Sequence, residues 1–464
     1  MQGNMVRLSI EKELTKLSIP MLIGMIFELI CTLLDIFWIA RIDPGNTAIV
    51  SGVGLIYPVA FLLVALIQGI STGISTIVAI AAGRKDEEYT GEVGRTGFNM
   101  SFYSSMVIII LTYVFSGSII NLLAGNGISA AAKEYAMEYL MFYMPGIFFL
   151  FCAQAYLALL QGQGNTKHVG MAMSFSTIVN AILDPVFIFV LGLGVKGAAI
   201  TTSIAQVLLF GYTLMVMLRQ ENKPISVRGL TSVNFPIIRE ILKLGIPQSV
   251  SFIILSASFG ILNWFVSSIS ETFMNSYTIV SRFDGILLTP TLAFSIGLSI
   301  MIGQNYGAGN IEEMKSILIR GTGLNMIISI LTGLLYMVTA KPLFGTMTGN
   351  PEVITLAVKQ VYYLTIVTTA GSVLGLCAGS AFQAIEKPVS STFIMLLRML
   401  LITVPCIIIL RLILGNTVEN VWISITLGSL TGGIIGYGMI LGNINKLIVQ
   451  SQSGLGEKER EYAQ

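Results

Sequence analysis

Twelve stretches of this chain are each long enough and apolar enough to cross a bilayer, and that repetition constrains the fold more than any other feature. A helix needs about 20 apolar residues to span the hydrocarbon layer. The first stretch is Leu17–Ala40; the others fall at 48–82, 96–121, 135–160, 169–191, 197–218, 240–268, 274–303, 317–340, 354–382, 389–413 and 421–444. None alternates with period two, which sets a β-barrel aside. Inside a bilayer the backbone finds no water partners, so each stretch must satisfy its own N–H and C=O groups as a helix. Only 11% of residues are charged, against about 25% in soluble domains. The expected fold class is an all-α integral membrane protein with twelve transmembrane helices. The first stretch is too long for a signal peptide, lacks a small-residue cleavage site and carries two acids, so it reads as a retained span.

Lysine and arginine sort by loop. The alternate loops that include the N-terminus, the central loop and the tail hold 18 of them, and the opposite loops hold 6. Positive loops stay cytoplasmic, so both termini are expected inside the cell. The net charge of +2 says nothing about nucleic acid, and no basic run suggests it, so no nucleic-acid partner is expected. No strand–Gly–Lys–Ser/Thr phosphate loop occurs, so no ATP site and no other cofactor is expected.

The chain is an internal duplication. Leu14–Pro20 (LTKLSIP) returns as Ile241–Pro247 (ILKLGIP), and Arg95-Thr96-Gly97 lines up with Gly321-Thr322-Gly323. Each copy holds six spans. Six is even, so both copies enter from the same side and their pseudo-twofold axis runs along the membrane normal. The expected division is an N-lobe at 1–218 with helices 1–6 and the ion-coupling site, a cytoplasmic loop at 219–236, a C-lobe at 237–444, and a polar cytoplasmic tail at 445–464. Two such bundles leave a cleft, and rocking about it gives alternating access.

Ionisable residues at membrane depth cost at least about 2.5 kcal/mol each and mark functional sites by default. Glu28 and Asp35 lie seven apart in the first span and so share a helix face. In the fifth span Asn180 and Asp184 lie four apart on one face. Pro185 follows at once, removes a backbone hydrogen bond and frees the Ala181 carbonyl, so a kink beside the acid is expected. A carboxylate, an amide oxygen and a loosened carbonyl are hard oxygen ligands, suited to a proton or Na⁺. The competing structural reading of Asp184 is a buried ion pair with Arg398 or Arg282. At the repeat offset the positions matching Asp35, Asn180 and Asp184 are Leu262, Leu400 and Val404. The second copy keeps the scaffold without the acids, so the ionisable site belongs to the first bundle.

Arg282 and Asp284 are two apart in the eighth span, face different sides, and are placed near the second lobe's cleft. His168, beside Lys167 at a helix end, reads as solvated. The four cysteines, Cys31, Cys152, Cys377 and Cys406, fall in apolar segments without ligand spacing and read as buried apolar residues. Met25, Met141, Met144, Met171 and Met173 suit an adaptable cavity wall. Gly69, Gly73 and Gly83 read as close helix crossings.

The LSIP…LLD spacing of the first span, GQGN at Gly162–Asn165, NAILDP at Asn180–Pro185 and GVKGAAITT at Gly194–Thr202 resemble the multidrug and toxic compound extrusion transporters. The similarity is greatest to archaeal members of the DinF-like branch. It covers the chain from about Leu14 to Leu441. The resemblance implies two six-helix lobes around a V-shaped cavity, in the plasma membrane, with small cationic or amphiphilic substrates exported against H⁺ or Na⁺. It implies a cation site, possible for Na⁺, at Asp35, Asn180, Asp184 and Thr202, and a bend of the first helix at Pro20. Leu157 stands where relatives often have a polar residue, with Gln154 one turn earlier. Cys31, Thr32 and Glu28 replace polar first-span positions, and the extra acid at Glu28 favours proton coupling or a cationic substrate. The expected substrate cavity therefore draws on Glu28, Gln154, Met25, Met173, Arg282 and Asp284.

The function expected is secondary active, cation-coupled efflux by a monomer, not an enzyme. A lipid-linked oligosaccharide or lipid flippase of the same superfamily is the alternative, but it needs more cationic residues than Arg282 and Arg398. An intramembrane aspartyl protease is a remote one, because the Gly-Asp setting is missing. A passive channel would carry flux without an ion gradient.

Overall fold

The computed structural model describes residues 2–43, 45–124, 128–219 and 234–462, without the side chains of 2–8, 36, 40, 47 and 454–462. Pro44 of the first turn, nearly all of the central loop and the last two tail residues therefore lie outside the described residues. Twelve helices long and apolar enough to span a membrane are present among the described residues. They are α1 (Gln2–Ala40), α2 (Thr47–Gly83), α3 (Glu87–Ala124), α4 (Ala130–Gly162), α5 (Thr166–Val190), α6 (Gly194–Leu218), α7 (Phe235–Ser267), α8 (Glu271–Gly307), α9 (Ile311–Gly345), α10 (Pro351–Ala384), α11 (Pro388–Leu414) and α12 (Val418–Tyr462). The polar tail is not a separate segment: α12 runs through it as continuous helix to Tyr462. Large apolar side chains stand outside, Leu122 at 84% exposure and Val338 at 76%. In water such a surface would aggregate; in lipid it costs nothing.

Three helices are interrupted. α5 passes into a π-turn at Val186–Val190 directly after Pro185, because the proline has no N–H with which to continue the α ladder. α11 contains a π-turn at Leu397–Ile402, just before Pro405. α8 breaks at Asp284, between Glu271–Phe283 and Gly285–Gly307.

Four helix–helix turns reuse one design. The second residue after the helix end is left-handed at Lys85, Gly164, Gly309 and Glu386. The next N–H then reaches back five residues: Asn165 to Leu160, Asn310 to Asn305 and Lys387 to Phe382, all at 2.8–2.9 Å. That is the Schellman closure, which satisfies the last carbonyls of a helix. Glycine occupies the left-handed position in two of the four and a lysine or glutamate in the others.

The chain forms two compact units that do not follow its division at the central loop. One comprises Met1–Ile19, Ala79–Lys85 and Pro247–Gln464; the other comprises Pro20–Val78 and Asp86–Ile246. The helix portions before the two repeat-related prolines, Pro20 and Pro247, are thus exchanged. Glycines make the exchange possible. In the first-repeat unit a Cβ on Gly245 would sit 2.6 Å from the Gly69 carbonyl, and one on Gly73 would sit 2.5 Å from the Ile241 carbonyl. In the second-repeat unit Gly297 and Gly321 make room for Leu14. Within the first-repeat unit Ile56, Leu63, Leu140, Ile147 and Phe151 form the core. Phe98 stacks on Tyr156 at 4.7 Å between centroids, and Phe210 stacks on both. The second-repeat unit has its own cores around Leu262, Phe273 and Trp422 and around Phe283, Tyr336 and Phe344.

Candidate functional site

α1, α5 and α6 bring a polar cluster together inside the first-repeat unit. α5 is anchored to α6 by Ser176 Oγ, which donates to the Ala205 carbonyl at 2.8 Å. Gly197 of α6 lies against the π-turn so closely that a Cβ would meet the Phe187 carbonyl carbon at 2.8 Å. α1 is seated on α5 by a second close approach: a Cβ on Gly24 would meet Met173 Cβ at 3.0 Å, and Gly170 lies against the Pro20 carbonyl. α1 remains helical through Pro20.

Asp184 is the centre, 1% exposed. Its Oδ1 accepts from Asn180 Nδ2 at 3.3 Å and from the Thr201 hydroxyl. Asn180 Oδ1 in turn accepts from the Cys31 thiol at 3.0 Å. The same sulfur lies 3.7 Å from Asp35 Oδ1 and 3.6 Å from the Thr177 carbonyl. Cys31 and Asn180 thus link the carboxyl groups of Asp35 and Asp184 through a short chain of side chains. Asp35 is half-buried and Asn180 buried. Asp184 is therefore partnered within its own unit by a hydroxyl and an amide, and Arg398 and Arg282 belong to the other unit.

Three of the four expected cation-site residues meet here, and one does not. Thr202 donates its hydroxyl to the Ala198 carbonyl of its own helix at 2.9 Å. The hydroxyl on Asp184 is that of Thr201, because one residue along a helix turns a side chain by about 100°. Thr201 also reaches the Gly197 and Ala198 carbonyls at 3.1 and 3.0 Å. Cys31 is the second member that the sequence reading passed over. It reads as apolar by composition, yet it lies four residues before Asp35 and so shares its face, and that spacing was available to find it.

The substrate-cavity candidates are dispersed. Glu28 is exposed, Met25, Gln154 and Met173 are half-buried, and Leu157 is buried. Arg282 is exposed while Asp284 is half-buried, and both belong to the second-repeat unit. His168 is not merely solvated: its Nδ1 lies 3.1 Å from the Tyr212 hydroxyl. Among the described residues no cluster of three or more His, Cys, Asp or Glu could hold a metal ion; a Na⁺ here would depend on the mixed oxygen set of Asp35, Asn180, Asp184 and Thr201.

The MatE family pattern matches residues 20–186 and 247–409, once in each repeat. The chain is 27% identical over 329 residues to the probable multidrug resistance protein YoeA of Bacillus subtilis, covering 69% of this chain and 70% of that one. It is 24% identical over 405 residues to the FAD transporter of Shewanella oneidensis, covering 85% and 87%. Its structure is similar to the outward-facing conformation of a multidrug resistance MATE family transporter of the MOP superfamily, with a TM-score of 0.87 at 24% identity over 94% of this chain and 96% of that one.

Proposed function

This multi-pass membrane protein belongs to the MatE family, and from that premise we propose that it exports small amphiphilic or cationic compounds in exchange for an inward-moving cation. The observation that carries the reading is the polar cluster of the first-repeat unit, in which Cys31 and Asn180 link the carboxyl of Asp35 on α1 to that of Asp184 on α5. Two carboxyl groups joined through so few side chains suit a proton held between them, so H⁺ is the coupling ion we favour. Asn180 Oδ1 is already engaged by a thiol, a poor ligand for Na⁺.

In this mechanism the proton enters from outside, settles between Asp35 and Asp184 and removes a charge that is costly out of water. The contact between α1 and α5 tightens, and the substrate leaves outward. Release of the proton to the cytoplasm separates the two carboxylates again and reopens the inner side. The π-turn after Pro185 gives α5 a place to flex without breaking a regular ladder. Coupling requires that proton and substrate prefer different states of the protein; rocking of the two repeats supplies those states. Both termini face the cytoplasm, in keeping with 18 against 6 cationic loop residues. The working unit is a monomer in the plasma membrane, with no cofactor and no enzymatic step.

The test uses proteoliposomes, a fluorescent organic cation, and an imposed pH gradient or an imposed Na⁺ gradient. The pH gradient is expected to drive export, and Asp35→Asn and Asp184→Asn each to abolish it. Gradient-driven export that survives both substitutions overturns the assignment.

A further inference from the structure

The second-repeat unit contains a cavity of about 460 Å³ lined by α7, α8, α9, α10, α11 and α12, a size typical of small-molecule sites. Arg398 is in its wall and is 4% exposed. Its Nη2 donates to Ser372 Oγ at 2.9 Å and to Ser429 Oγ at 3.4 Å, but its Nε–H has no acceptor among the described residues. Among the described residues no carboxylate lies within ion-pair distance of it. A buried guanidinium without a counter-charge is costly unless something else supplies one.

The surroundings are built around this side chain. A Cβ on Gly375 would sit 2.5 Å from Arg398 Nη1, and one on Gly432 would sit 2.5 Å from its Cγ. The residue itself occupies the π-turn of α11. Two more buried groups on the same cavity wall are unpartnered: Gln360 Oε1, on a residue 2% exposed, and the Tyr336 hydroxyl, on a residue 1% exposed. Asp284, at the break in α8, also lines the cavity. One acid and one base thus share a single cavity without touching. The lining also includes the apolar side chains of Leu262, Val280, Leu364 and Ile425.

We propose that this cavity binds a zwitterionic amphiphile, its carboxylate on Arg398, its ammonium on Asp284 and its hydrocarbon body along the apolar wall. A guanidinium fork with a free Nε–H suits a carboxylate. Gln360 Oε1, on the same cavity wall, is a further acceptor for a bound molecule. The site draws all its residues from the second-repeat unit and does not depend on the transport reading.

The test is calorimetric titration of the purified full-length protein in nanodiscs with three eight-carbon probes: octanoate carrying an amine at its far end, plain octanoate, and octylamine. The zwitterion is expected to bind about tenfold more tightly than either singly charged probe. Arg398→Gln should erase its advantage over octylamine, and Asp284→Asn its advantage over octanoate. Arg398→Lys, which keeps the charge, should retain most of the preference; with Asp284→Asn it carries the test if Arg398→Gln does not fold. Equal binding of all three probes indicates apolar partitioning, and no binding indicates a water-filled cavity; either overturns the proposal, as does a preference that survives Arg398→Gln and Asp284→Asn. The binding is read at equilibrium without a gradient, so its failure leaves the export reading untouched, and failure of Asp35→Asn to stop export leaves this one untouched.

Discussion

Thr201 donates its hydroxyl to Asp184 Oδ1 across the contact between α5 and α6, while the neighbouring Thr202 hydroxyl turns back to its own helix. Removing the Thr201 hydroxyl leaves a buried carboxylate oxygen short of a donor, which costs about 1–3 kcal/mol. Thr201→Val, which keeps the shape, is expected to slow gradient-driven export by roughly tenfold or more. Thr202→Val is expected to stay near the wild-type rate. Paired rate measurements in proteoliposomes check both, and equal losses in the two variants would contradict the geometry.

Cys31 ties α1 to α5 through Asn180 Oδ1. Cys31→Ser keeps a donor at that place and is expected to retain export. Cys31→Val leaves the Asn180 oxygen unpaired and is expected to lower stability by about 1–3 kcal/mol. Thermal unfolding in detergent, with and without the valine, measures the difference.

Gly170 faces the Pro20 carbonyl with no room for a methyl group, whereas Gly117 of α3 has open space around its Cα. Gly170→Ala is expected to destabilise by about 1–3 kcal/mol through overpacking. Gly117→Ala is expected to stabilise by up to about 1 kcal/mol, since alanine is the better helix former. Opposite shifts in Tm from the two substitutions are the outcome to look for.

Lys85 and Glu386 hold a left-handed backbone, each with φ of 59°. An L side chain there costs about 1–2 kcal/mol that glycine avoids. Lys85→Gly and Glu386→Gly are each expected to raise Tm, and Gly164→Ala, at a φ of 80°, to lower it. Thermal unfolding of the three variants checks the set; a rise with Gly164→Ala would show that the turn is not what demands the conformation.

Much of this protein was legible from residue order alone. Twelve apolar stretches dictate twelve helices, because a chain in hydrocarbon has no other way to satisfy its backbone along a single segment. Asp35, Asn180 and Asp184 stood out for the related reason that polar groups at that depth are costly without partners. The repeated LxIP motif marked where the two copies begin, and the family pattern matches from those same two prolines, Pro20 and Pro247. Which groups touch was decided only in three dimensions. The choice of Thr201 over Thr202 turns on the rotation of α6 against α5, which the Gly197 contact sets. Cys31 became a hydrogen-bond donor because packing aimed it at Asn180. The exchange of helix portions before each proline, and the meeting of Arg398 and Asp284 in one cavity, depend on contacts between residues distant in the chain. Hydrophobic periodicity is a local property and reports what a segment must be; partners are settled by packing, where displacement by a single residue turns a side chain toward a different neighbour.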